Sequence, residues 1–209
     1  MRKFYRREKV IYEEQNYYRQ PWIRQRRPYN RQKVAEEPGI PCYDNELIKK
    51  IAAESGFDER YVKESEEYDS GGFLSFLSDR TFGLNNEDYL WKAQCRIITD
   101  LALKESCVIV GRCADYILRD KADCLKVFIH ADKEFRIRRI AEVYGETDVP
   151  TEQRLKDKDK RRAAYHRFYT NMKWGQAKNY DITFNSGTLG IDTCVEVIKN
   201  LYWSRNSVA

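Results

Sequence analysis

Two points of the chain put charged forks just past a run of buried-strand character. Cys107-Val-Ile-Val-Gly111 is a short apolar run ending in glycine, and Arg112 and Asp115 follow it at once. A guanidinium at such an exit matches a phosphate bidentately. Asp115 would either hold that guanidinium or accept from a ribose or base, and a plain strand-exit salt bridge explains the pair equally well. Leu125-Lys-Val-Phe-Ile-His130 is a second such run, and Arg136 and Arg139 follow it three residues apart, on one face of a helix. A third group, Asp159, Lys160, Arg162 and Tyr165, lies in a strongly charged stretch over 151–173. Charge runs of this kind are usually solvated helices. The same composition suits a mobile basic lid that neutralises a polyphosphate during transfer.

These residues need a scaffold that gathers strand ends. From Gly39 onward the chain alternates strand and helix patterns. Asp44 is placed to cap a helix through Glu46–Ala53 that Gly56 stops, and Asp58 opens a second short helix. Asn86 to Lys104 carries Leu90, Ala93, Ile97, Ile98 and Leu101 as an apolar stripe. Strands are expected at 107–111, 125–130 and 180–185. Helices are expected near 133–143, 151–169 and 191–203. Continuous apolar strands separated by helices imply a parallel sheet covered on both faces. Such sheets bind ligands beyond the carboxyl ends of their strands. Gly71-Gly72 is not a phosphate loop on this reading, because the acidic run Glu64–Asp69 precedes it instead of an apolar strand.

Composition narrows the classes. The chain has 209 residues, 42% hydrophobic and 34% charged, with a net charge of +5. That describes a globular protein compatible with anionic ligands. No apolar run approaches membrane-spanning length, and the basic amino terminus lacks the apolar core of a secretory signal. The six cysteines form no C-x-x-C pair and there are only two histidines, His130 and His166. That argues against a zinc site and for reduced thiols in the cytoplasm.

Taken together, GIPCYDNELI (39–48), CVIVGRCADYIL (107–118), KVFIHADKEFRIRRI (126–140), DKRRAAYHRFYT (159–170), and Trp174 with NYDITFNSGTLGID (179–192) resemble the cytidylate kinase-like family. The resemblance implies a three-layer α/β P-loop kinase fold. It also implies transfer of phosphate from ATP, with Mg²⁺, to a nucleoside monophosphate. Arg112, Asp115 and Tyr165 would then bind the acceptor. Arg136 and Arg139 would flank the transferring phosphates, and Asp159, Lys160 and Arg162 would belong to the lid. Tyr180, Asp181 and Asn185 would be structural. Nucleotides are the expected partners, with no membrane.

Residues 1–38 depart from that family. They contain no Gly, Ser, Thr, Leu or Asp, whereas Arg and Tyr abound. The family opens with a strand, a glycine-rich loop and a helix, similar to ITISREYGSGGREIGKKLAEELGIPYYD. Only its end survives here, as Lys33-Val-Ala-Glu-Glu and GIPCYD. Arginine cannot stand in for glycine where backbone must approach phosphate closely. If a strand were built from Asn16 to Ile23, it would be too polar for burial on both faces.

A one-base shift of the reading frame accounts for the departure. Every Arg codon has G in its second position and can therefore begin a Gly codon. With permitted codons Arg24–Gln32 becomes GSGGRIIGR. Trp22 becomes Gly without choice, Asn16–Tyr18 become only Ile or Thr, and Tyr12 before Glu13 can give ATG. The other reading is a genuine basic arm that binds single-stranded nucleic acid by charge and stacking. The remaining alternative is a non-catalytic nucleotide-binding protein that keeps the acceptor site.

Overall fold

Five parallel strands form the centre of the computed structural model, in the order β2-β3-β1-β4-β5. The structure describes residues 9–14, 29–65, 86–144 and 147–207. The strands are β1 (Lys9–Glu14), β2 (Cys42–Tyr43), β3 (Cys107–Val110), β4 (Cys124–His130) and β5 (Ile182–Asn185). The helices are α1 (Tyr29–Glu36), α2 (Asn45–Ser55), α3 (Glu59–Ser65), α4 (Asn86–Lys104) and α5 (Ala114–Ile117). They continue with α6 (Lys133–Tyr144), α7 (Thr151–Thr170), α8 (Ser186–Leu189) and α9 (Ile191–Ser207).

Side chains on a strand alternate faces, so each buried strand feeds two cores. Ile11, Cys107 and Ile109 point to one side and meet Leu47, Ile51, Ile98 and Leu101 from α2 and α4. Val10 and Val108 point to the other, with Val127 and Ile129, and meet Val34 of α1 and Cys194, Val195 and Ile198 of α9. Each fully buried aliphatic side chain contributes about 1.5–3 kcal/mol against leaving it in water. This is the three-layer α/β arrangement of a P-loop kinase.

The central strand differs from expectation. It is Lys9–Glu14, not Asn16–Ile23, and it pairs with β3 through Val10 opposite Val108 and with β4 through Val10 opposite Leu125. Val10 and Ile11 are both fully buried. A strand covered on both faces needs no alternation, and two adjacent apolar residues leave no periodic trace. Tyr29–Glu36 is likewise a helix of the sheet's outer layer, and it contains Lys33-Val-Ala-Glu, read from the sequence as the surviving end of the family's opening helix. The Asn16–Ile23 segment, the Gly71-Gly72 pair and the positions Arg24–Pro28 lie outside the described residues.

Local signals behave unequally. Gly56 closes α2 with φ +75°, the left-handed conformation that glycine adopts freely. Asp44, expected to cap α2, makes no capping hydrogen bond. Its carboxylate instead pairs with the buried guanidinium of Arg31 on α1 at 3.1 Å. A charged partner out-competes a backbone N–H for the same oxygen.

Candidate functional site

The chain leaves β3 through a turn held in an uncommon conformation. Gly111, Arg112 and Cys113 have φ of +70°, +58° and +55°. Glycine takes this region at no cost, but each non-glycine residue there costs about 1–2 kcal/mol. Such strain persists where the surroundings fix it, and it clusters at functional sites. The fixing group here is Gln94 of α4, which is 1% exposed. Its amide nitrogen donates to the Arg112 carbonyl at 2.9 Å, and its oxygen accepts from Arg112 Nη1 at 3.3 Å. The hydroxyl of Tyr165 on α7 donates to the same oxygen at 3.2 Å. One amide thus joins the strained turn, α4 and α7.

Gln94 escaped the sequence reading, although it left a signal. It stands between Leu90 and Ile98, at helical spacing, inside an otherwise apolar stripe. A polar residue in that place breaks the local rule, and such breaks mark functional or strained sites. Ile97, expected on the stripe, is only partly buried. Replacing Gln94 with Leu leaves a buried carbonyl without its donor and is expected to cost about 1–3 kcal/mol. A urea unfolding curve checks this: the midpoint falls with the slope unchanged. An unmoved midpoint would mean the turn is held by other groups.

Asp115 does not brace Arg112. Its Oδ2 lies 3.3 Å from His166 Nε2 on α7, and both side chains are buried. Beside them Trp91 of α4 stacks on Tyr169 with centroids 4.1 Å apart at 13°, and Tyr165 packs on Tyr169 at 4.8 Å. Burial, with the Glu87 and Asp88 carboxylates nearby, pushes the Tyr169 phenol well above its ordinary range, so it stays neutral. Asp159, Arg162, Tyr165, His166 and Tyr169 share one face of α7, while Lys160 is exposed on another.

Arg136 and Asp159 form a two-pronged pair at 2.7 and 2.8 Å. The arginine is 4% exposed, so in this conformation it braces α7 against α6. Lys133 of α6 and Glu152 near the start of α7 make a second, exposed contact. That contact raises the lysine's pKa and lowers the glutamate's. Arg139, one turn beyond Arg136, is half-buried. The stretch expected to act as a lid is one continuous helix over Thr151–Thr170, docked on α6 through Asp159, on α4 through Tyr165 and on α5 through His166.

The residues around β5 make packing and backbone contacts. Tyr180 tilts against Phe128 at 4.9 Å, Asp181 accepts the Lys126 backbone N–H at 2.7 Å, and Asn185 accepts that of Gly187 at 3.0 Å.

Arg112 and Asp115 follow the carboxyl end of β3, and Arg136 and Arg139 follow that of β4, on either side of central β1. In P-loop proteins the residues after the central strand cradle phosphate through backbone N–H groups. Here β1 ends at Glu14 and α1 begins at Tyr29, and the intervening residues contain no glycine. A glycine loop is therefore absent from the sequence of this connection. Those residues also include no Ser or Thr to face Mg²⁺. Among the described residues no cluster of three or more His, Cys, Asp or Glu is placed to hold a metal ion.

Residues 32–188 match the Cytidylate kinase-like family. The chain is 30% identical over 173 residues to a cytidylate kinase of Archaeoglobus fulgidus, covering 79% of this chain and 82% of that one. It superposes on a crystal structure of an uncharacterized protein from Eubacterium ventriosum with a TM-score of 0.64 and 25% identity, covering 92% and 96% of the two chains. The shikimate kinase of Acinetobacter baumannii, solved with shikimate, shares the fold at a TM-score of 0.50 and 13% identity, over 96% and 94%. With three quarters of its length matched and the strained Gly111-Arg112-Cys113 turn at its centre, the chain belongs to the cytidylate kinase-like family, a family of P-loop-fold kinases.

Proposed function

We propose that this protein is built as a nucleoside-monophosphate kinase of the cytoplasm, and that the chain as written keeps the acceptor half of the site but not the ATP half. The reading rests first on the Arg112 turn. A guanidinium is held past a strand end, in a strained conformation, by a buried amide that also touches α7. Arg112 would bind the acceptor's phosphate, with Tyr165 and Asp115 beside it. Arg139 would approach the transferring group, and Arg136 and Asp159 would set the position of α7. ATP would supply the phosphoryl group, and Mg²⁺ would balance its charge. In the chain as written, residues 15–28 offer neither glycine for the triphosphate nor Ser or Thr for the metal.

The start of the family match at residue 32 supports the frame-shift reading of the segment before it. So does the helix Tyr29–Glu36, which begins where the shifted frame would follow a glycine loop with a helix.

The test is acceptor binding. Calorimetry of the full chain with CMP, UMP, AMP and GMP is expected to give measurable binding of at least one. Arg112→Met, verified as folded by circular dichroism, should weaken it about 10–100-fold, the cost of losing hydrogen bonds to a charged group. Arg112→Lys should recover only part of that, since an ammonium lacks the fork. Equal affinity in parent and Arg112→Met would overturn the assignment.

A further inference from the structure

The last turns of α7 reach the β3 turn through His166, a residue that the assignment above does not use. Its imidazole stands among oxygen atoms. Nε2 lies 3.3 Å from Asp115 Oδ2, and Nδ1 lies 3.1 Å from Thr170 Oγ1 and 3.4 Å from the Met172 carbonyl. The Thr170 hydroxyl gives its one proton to the His166 carbonyl at 2.6 Å, and its oxygen already accepts the Met172 N–H at 3.1 Å. Thr170 therefore faces the ring as an acceptor, and a carbonyl can only accept. The ring suits this place by donating at both nitrogens, to Asp115 on one side and to the end of α7 on the other.

That leaves the other oxygen of Asp115. The residue is 3% exposed, and Oδ1 is sealed from solvent yet accepts no hydrogen bond. A buried carboxylate oxygen with nothing to accept calls for an explanation. This one lies three residues along the chain from Arg112, in a helix that starts directly from the strained turn. A core position with no ligand to serve would carry an apolar residue there at lower cost.

We propose that His166 is a positioning residue for the acceptor: by holding Asp115 Oδ2 it sets Oδ1 to receive an O–H or N–H of the bound nucleoside monophosphate. The inference rests on the acceptor-site reading and adds to it the residue that orients the carboxylate. It also gives α7 a direct tie to acceptor occupancy, because His166 and Tyr165 are neighbours on that helix, and Tyr165 reaches Arg112 through Gln94.

The test uses the full chain, with CMP, 2′-deoxy-CMP and UMP as probes. Parent protein should bind CMP. Asp115→Asn and His166→Leu should each weaken it roughly tenfold or more, the effect of an acceptor lost or misdirected. His166→Gln, which keeps an N–H donor near the place of Nε2, should recover most of the loss. A bare packing role would not distinguish Gln from Leu in that direction. If 2′-deoxy-CMP binds weakly to the parent and the difference vanishes in Asp115→Asn, the donor is the ribose hydroxyl. If UMP behaves so instead, the donor is the base amino group. The chain has two histidines, so ¹⁵N-histidine spectra resolve His166. Its Nε2 signal should move on CMP addition, and this decides the matter even if His166→Leu fails to fold. CMP binding with an unmoved His166 signal, or with full affinity in a folded His166→Leu, overturns the inference and leaves the acceptor site standing. No binding of any nucleoside monophosphate by the parent overturns both.

Discussion

Reading residues 16–32 in the shifted frame, so that GSGGRIIGR stands at 24–32, is expected to raise ATP-dependent transfer at least about a thousandfold over the chain as written. Removing a single preorganised donor from a charge-stabilising site costs about 10²–10³ in rate. A phosphate loop supplies several, together with the N-terminus of its helix. The chain as written links β1 to α1 through residues 15–28, which contain no glycine. Connections between a strand and the next helix in such folds usually take about 2–6 residues. In the shifted frame the Ile/Thr-restricted positions 16–18 would lie just before the loop and supply a strand of high β-propensity, displacing Lys9–Glu14 from the centre of the sheet. A coupled ATPase assay on the two chains, with the preferred nucleoside monophosphate present, reads the difference. Equal rates would show that the loop is dispensable and that the frame-shift reading explains nothing about activity.

Asp159→Ala is expected to cost about 3 kcal/mol of stability, as removal of one partner from a buried ion pair does. Arg136 is 4% exposed and engages both oxygens of Asp159. Without them a buried guanidinium loses its two-pronged carboxylate partner. For a chain of this size the loss corresponds to a Tm lower by roughly 10 °C. Asp159→Asn keeps one acceptor and should fall between the two. Thermal unfolding followed by circular dichroism measures it. An unchanged Tm for Asp159→Ala would mean that the pair forms only on the surface of a mobile lid, and that Arg136 is free to meet phosphate.

The sequence made some of this architecture plain and concealed the rest for physical reasons. β3 is an unbroken apolar run and β4 is one interrupted by Lys126, and α4, α7 and α9 were visible from their patterns, within a few residues of their observed ends. β1 was hidden because burial on both faces erases alternation, and β2 because two residues, Cys42 and Tyr43, carry no period. The site residues were placed on the right elements, but their partners were not legible. Asp115 was expected either to hold Arg112 or to accept from a ribose or base, and the partner it meets in the fold, His166, is 51 positions distant. Tyr165 meets Gln94 across 71 positions. Periodicity states which face a side chain occupies, not which side chain arrives opposite it from another helix. Arg136 and Asp159 illustrate the same limit: the resemblance put one beside the transferring phosphates and the other in the lid, and the fold brings them to each other. The two unannounced residues, Gln94 and His166, are polar groups in buried helix faces. The fold gives that oddity its meaning by setting the strained turn beside them.

The central claim is that this chain carries an acceptor site without an ATP site, and two parallel calorimetric titrations test it most directly. One adds nucleoside monophosphates to the full chain as written, and the other adds ATP with Mg²⁺. The account predicts measurable binding of a monophosphate, lost with Arg112→Met, and weak or absent binding of ATP. Micromolar ATP affinity in the chain as written, or indifference to every monophosphate, would contradict it.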